Sequence, residues 1–290
     1  MAMFLVPALM GAQGRPHVIT SFLPLYSWTA NVAGDKALVE NLLPARAEPH
    51  EYAFKPSDVR SLSSADLVVI NGLGLESWVS KWARMADPGS NRLVVAAAGL
   101  DGQLLYGEHH HHHDDHGHDH EQPNEHIWLD PLLGAHAVTN ILTGLQRVAP
   151  NHAAAYAGNA YAYVTRLHAL DAEIRQHLAG ITNRAIVTYH NAFPYFARRY
   201  GLEIAGVVEQ VPEVNPTPKY LANLGRMMRE RGLRFIFVPP NGDTRLARRI
   251  AADLRVQLVE LDTLESGPLS PSAYEERMRR NATVLRDHLK

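Results

Sequence analysis

The 290-residue chain has no cysteine. That excludes disulfides and thiolate metal sites, so any transition-metal site must be built from imidazole and carboxylate. After the first fourteen residues no apolar run approaches the ~18 residues of a membrane span, which implies a soluble mature protein. No Lys/Arg cluster marks a nucleic-acid face, and net charge is only −2 with histidine neutral. Residues 1–14, MAMFLVPALMGAQG, lack the basic start of a secretory leader, although the apolar run and small residues around Ala12 resemble the back half of one. A buried first strand is the alternative there.

In excess is histidine, with 17 copies, eight of them between His109 and His120. The tract holds His109, His110, His111, His112, His113, His116, His118 and His120, interleaved with Glu108, Asp114, Asp115, Asp119 and Glu121. Its composition suits disorder with weak, multiple zinc binding. A purification tag would be terminal and unbroken. A solvated loop without a role is the other reading.

Short β-branched runs alternate with amphipathic stretches, the pattern of βα units around parallel sheets. Strands are expected at 17–22, 38–43, 66–71 and 92–98, then at 184–189, 203–208, 234–239 and 257–262. Helices are expected at 27–32, 56–63, 75–86, from 131 to about 148, and at 193–200, 218–231, 244–254 and 272–288. Between 151 and 179, apolar residues Tyr156, Ala160, Tyr163, Leu167, Leu170, Ile174 and Leu178 recur every three or four positions. One helix of roughly 40 Å follows. The expected architecture is α/β: a lobe over 15–149 carrying a His-rich loop at 108–121, a linking helix over 150–180, and a lobe over 181–290, with mostly parallel sheets.

His50, His126 and His190 each fall in a loop at a strand end or helix start, the edge where open α/β sheets bind ligands. Three neutral imidazoles suit Zn²⁺. A single histidine near a turn is usually incidental, and spacing cannot join three that lie 76 and 64 residues apart. His136, His152, His168, His177 and His288 lie on expected helices and read as surface or packing residues. His17 heads a strand and is given no role.

The segments Pro49-His50-Glu51-Tyr52 through Lys55-Pro56-Ser57-Asp58, and Ala65-Asp66-Leu67-Val68-Val69, resemble the first lobe of the cluster A-I solute-binding proteins of zinc and manganese ABC importers. The segment His126-Ile127-Trp128-Leu129-Asp130-Pro131 is similar to the family's most recognisable signature. Tyr189-His190-Asn191-Ala192-Phe193-Pro194-Tyr195-Phe196 through Tyr200-Gly201-Leu202 resembles the opening of its second lobe. The resemblance runs from about His17 to Asp262. It implies two lobes bridged by one rigid helix, with His50, His126 and His190 as metal ligands. It also implies no enzymatic activity and docking on a membrane permease in the periplasm. A monomer is expected, with a periplasmic zinc carrier protein as a further partner. Manganese members carry a carboxylate at the position of His190, so imidazole there favours zinc. Zinc members carry a His-rich loop at the matching place.

The resemblance points to Asp262, at the end of a strand, as the fourth ligand. A turn-capping aspartate is the competing reading, and Glu51, Glu48 or water could also fill the position. Many relatives have glutamate after the strand at 235–238, where this chain has Pro239-Pro240-Asn241, and no metal role is inferred for that corner. Other functional classes stay open. A zinc hydrolase also uses three histidines, but no His-Glu-x-x-His motif occurs. A zinc store or chaperone would use the His-rich tract as its main site, and a manganese receptor is the nearest variant of the leading reading.

Overall fold

A computed structural model of the chain describes residues 14–50, 52–78, 82, 92–106, 122–209, 215–240 and 244–290. The first sheet contains β1 (His17–Thr20), β2 (Leu38–Asn41), β3 (Leu67–Ile70) and β4 (Leu93–Val95), in the order β2-β1-β3-β4. The second contains β5 (Ala185–His190), β6 (Glu203–Glu209), β7 (Phe235–Val238) and β8 (Gln257–Glu260), in the equivalent order β6-β5-β7-β8. All neighbours are parallel. Each sheet therefore reverses its winding direction once, between β1 and β3 and between β5 and β7. Beyond the carboxyl ends of strands at such a reversal lies a natural crevice.

Helices α1 (Leu23–Ala33) and α2 (Pro56–Ser64) belong to the first lobe, with α3 (Pro131–Val148) closing it. The expected start of α1 at 27 moves to Leu23, because Pro24 in the first turn has the fixed φ that suits a helix start. Residues 73–78 form turns, and most of the helix expected at 75–86 falls outside the described residues. Pro150–His152 forms a single 3₁₀ turn before α4, Ala153–His177. At 25 residues α4 is about 38 Å long. Its buried side is the expected stripe of Tyr156, Ala160, Tyr163, Leu167, Leu170 and Ile174. The second lobe adds α5 (Pro194–Tyr200), α6 (Pro218–Glu230), α7 (Arg245–Leu254) and α8 (Ala273–His288).

One apolar core runs through both lobes, joining Trp28, Trp128, Tyr156, Tyr163, Phe196 and Tyr274. A separate core lies between the second sheet and the helices α6 and α7, formed by Val187, Leu224, Met228, Ile236, Ile250 and Leu254. The last helix reaches beyond its own sheet, which it touches through His288 on Phe235 at 5.0 Å. It packs on α1 and α4, with Trp28 edge-on to Tyr274 at 5.3 Å. Between the lobes, Arg199 of α5 straddles both oxygens of Asp130, the residue that caps α3, at 2.9 Å each. Among the described residues no helix is long and apolar enough to cross a membrane.

Candidate metal centre

Four segments from both lobes meet at the crevice. His50 lies in the loop between β2 and α2, whose start is held to the end of β1 by Leu42 and Leu43 donating to the carbonyls of Thr20 and Ser21. His126 precedes the buried 3₁₀ turn Ile127–Leu129. Trp128 anchors that turn: it packs edge-on against Phe22 at 4.7 Å and donates Nε1 to the Thr263 carbonyl at 2.7 Å. His190 is the last residue of β5. Glu265 lies in the turn after β8, behind Leu264, whose φ of +62° is rare for a side-chain-bearing residue.

The ligand-competent atoms of His50, His126, His190 and Glu265 all lie within 4.8 Å of one another. Glu265 Oε1 is 3.0 Å from His50 Nε2, 3.1 Å from His126 Nε2 and 4.0 Å from His190 Nε2. His126 Nε2 and His190 Nε2 are 3.0 Å apart. Ligands bound tetrahedrally to zinc at 2.0–2.1 Å are separated by about 3.3 Å, so a small ion fits with little rearrangement. Two of the outward nitrogens have partners too. His50 Nδ1 lies 3.3 Å from Glu125 Oε1, and His126 Nδ1 lies 3.1 Å from Asn124 Oδ1. Such contacts orient a metal-binding imidazole with its other nitrogen inward. Glu265 is oriented in the same way, because Thr263 Oγ1 donates to its Oε2 at 2.6 Å and leaves Oε1 facing the histidines.

Burial and charge work against each other here. Burial alone would raise the Glu265 carboxyl, yet hydrogen bonds from His126 and His50 hold it well below the usual carboxylate range. Burial opposes protonation of His50, but Glu265, Glu125 and Glu48 outweigh it and raise that imidazole. His190 is pushed down to about 3 by burial and by the neighbouring His126, against the pull of Glu265. The cluster thus combines a persistent negative charge with an imidazole that stays neutral, both needed for capturing a divalent cation.

The three histidines singled out by sequence come together; Asp262 does not join them. Its Oδ1 accepts from Leu264 N at 2.8 Å and its Oδ2 pairs with Arg277 at 3.2 Å. Asn281 grips its backbone N–H and carbonyl. This is the turn-capping alternative, and it consumes the carboxylate; Glu265, three residues on, faces the cluster instead. Glu48 accepts from Ser266 Oγ at 3.2 Å. Glu51 and the His-rich residues 108–121 lie outside the described residues. His17 pairs with Glu40 at 2.8 Å, and His136 donates to the Ala98 carbonyl at 2.7 Å. Among the described residues, the crevice holds the one His/Asp/Glu group with metal-binding geometry.

Residues 18–288 match the family model described as ZnuA, zinc-uptake complex component A, periplasmic. The chain belongs to the ZnuA family. It is 28% identical over 296 residues to the zinc-binding protein AdcA of Streptococcus pyogenes, covering 95% of this chain and 56% of the relative. The chain therefore spans little more than half the length of that relative. The structure is similar to that of Zn(II)-bound AdcA from Streptococcus pneumoniae, with a TM-score of 0.78 and 28% identity over 95% of this chain and 58% of that one. It is also similar to FpvC from Pseudomonas aeruginosa in complex with Mn²⁺, with a TM-score of 0.81 and 28% identity over 95% and 98% of the two chains.

Proposed function

We propose that this chain is an extracytoplasmic receptor that captures one Zn²⁺ between its lobes and delivers it to the permease of an ABC importer. The observation that carries the proposal is the convergence of three imidazole nitrogens and one carboxylate oxygen, drawn from both lobes, in a buried crevice. Four donors complete a tetrahedral shell, whereas catalytic zinc keeps a position open for water. A closed shell suits holding an ion over reacting with it, which speaks against the hydrolase. Membership of a family of uptake-complex components supports the same choice, and the names of the AdcA relatives support zinc as cargo. Periplasmic location and docking on a permease are part of the proposal on the same ground.

The Mn²⁺ complex of FpvC raises manganese as the alternative cargo. Three imidazoles and a single carboxylate favour zinc, because manganese prefers a larger share of oxygen donors. Titration against a competing chelator tests the reading. The chain is expected to hold one zinc far more tightly than any further equivalents, to prefer zinc to manganese, and to lose the tight site in His190→Ala. Deleting residues 109–120 should remove only the weak equivalents. If the tight site disappears with that deletion, the protein is a zinc store. If manganese binds more tightly than zinc, it is a manganese receptor.

A further inference from the structure

One side chain links the two lobes directly behind the metal centre. Asn124 Oδ1 lies 3.1 Å from the backbone nitrogen of His126 and 3.1 Å from its ring Nδ1. Its Nδ2 donates to the Asn191 carbonyl at 2.9 Å, one residue after His190. A backbone N–H can only donate and a carbonyl can only accept, so the orientation of the amide is settled by chemistry at both ends. It follows that the atom facing His126 Nδ1 is an acceptor. Nδ1 must then carry the hydrogen, and in the neutral ring the lone pair is at Nε2. Nε2 is the atom that faces Glu265 and His190.

The backbone of Asn124 is fixed as firmly as its side chain. Its N–H donates to the Leu105 carbonyl at 2.7 Å, and its carbonyl accepts from the Tyr195 hydroxyl at 2.8 Å. Tyr195 belongs to α5 of the second lobe and is fully buried, and its oxygen accepts in turn from Leu105 N at 3.1 Å. By contrast, His50 leans on Glu125 at a looser 3.3 Å.

We propose that Asn124 is a positioning residue for zinc capture, presenting His126 with its hydrogen on Nδ1 and its Nε2 free for the ion, while tying it across the lobe boundary to the residue after His190. The proposal rests on the zinc-receptor reading and concerns the same site. An amide that only braced the fold would have no bearing on which imidazole nitrogen carries the proton.

Two measurements test it. Nitrogen-15 NMR of the histidine rings of the whole chain should show His126 protonated at Nδ1 both free and with zinc bound, with the metal on Nε2. Chelator titration should show Asn124→Ala weakened about 10–100-fold, the usual cost of losing a group that orients a metal-binding histidine. Asn124→Asp keeps the acceptor and should stay within about threefold of wild type, or bind more tightly, because a carboxylate makes the ring a better donor. A free ring without a hydrogen on Nδ1, or metal on Nδ1, overturns the proposal, as does Asn124→Ala with wild-type affinity. Asn124→Asp as weak as Asn124→Ala also overturns it, because the acceptor kept opposite His126 Nδ1 would then contribute nothing to binding. If the wild-type chain itself holds no zinc tightly, the receptor reading falls, and the NMR of the free ring still reports separately on His126.

Discussion

Glu265 and Asp262 are three residues apart, and substituting each with its own amide separates their roles. Glu265→Gln keeps size and one oxygen at the position of Oε1 but removes the charge. The carboxylate is 5% exposed and lies 3.0–3.1 Å from two imidazoles, so solvent screens it little. Two elementary charges opposite one, at about 2.6 Å and an effective dielectric constant of ~20, attract by roughly 13 kcal/mol before opposing terms are counted. Most of that is offset by the ion's lost hydration and by the imidazole hydrogens already facing Glu265 in the free chain. Breaking a buried ion pair by neutralising one partner costs about 3–5 kcal/mol net, or two to three and a half decades in Kd. Asp262→Asn keeps the acceptor for Leu264 N and loses only the charge opposite Arg277. Zinc affinity should then change by less than about threefold while stability falls by about 1–2 kcal/mol. Chelator competition gives the affinities, and urea unfolding of the metal-free variants gives the stabilities. If Asp262→Asn lowers zinc affinity more than Glu265→Gln does, the assignment of the fourth donor is wrong.

Zinc binding should release protons, and His50 sets the window. Its value is raised above the ordinary ~6.5, so on acidification the free chain takes up a competing proton earlier than an ordinary histidine would, and affinity starts to fall above that range. His190, at about 3, should contribute no proton near neutral pH. Calorimetry at pH 6 in two buffers of different ionisation heat should report release of at least about one proton, and zero release would contradict this. At the lobe boundary, Arg199→Met leaves Asp130, 1% exposed, without its cation. The helix-cap bonds of Asp130 survive, which places the cost at the lower end, about 3 kcal/mol, and should lower the Tm of the metal-free chain by roughly 5–10 °C. A shift under about 2 °C would show that the pair contributes little.

The βα alternation and the long helix were legible because period-two and period-3.6 patterns report burial directly, as in the stripe from Tyr156 to Ile174. His50, His126 and His190 were legible only as motifs. What unites them is tertiary: two sheets each reversing at one point, and a turn after β8 that approaches both lobes. Glu265 was hidden because its aim depends on the positive φ of Leu264 and on Asn281 and Arg277 reaching back from α8. No local pattern encodes either. One local signal was available. An aspartate two residues before a free backbone N–H commonly caps it, and Asp262 does so at Leu264, which removes it from competition for the metal. Asp130 shows the same economy, because the signature aspartate serves as both helix cap and inter-lobe anion.

The return of α8 to the first lobe has a consequence for cutting the chain. Tyr274 donates its hydroxyl to the Trp128 carbonyl at 2.7 Å, Ser27 Oγ donates to the Pro271 carbonyl at 2.6 Å, and Arg166 of α4 donates to Glu275 at 3.0 Å. The two sheets look like modules that a gene could be split between, but the seam in the sequence near 180 is not the seam in the solid. A fragment ending there would lack the lid over Trp28 and Tyr163. The complementary fragment would carry a sixteen-residue amphipathic helix stripped of the α1 and α4 surfaces it packs on. Separately expressed halves should therefore be poorly soluble alone and should recover a shared core on mixing, which makes the molecule better suited to fragment complementation than to use as two independent domains.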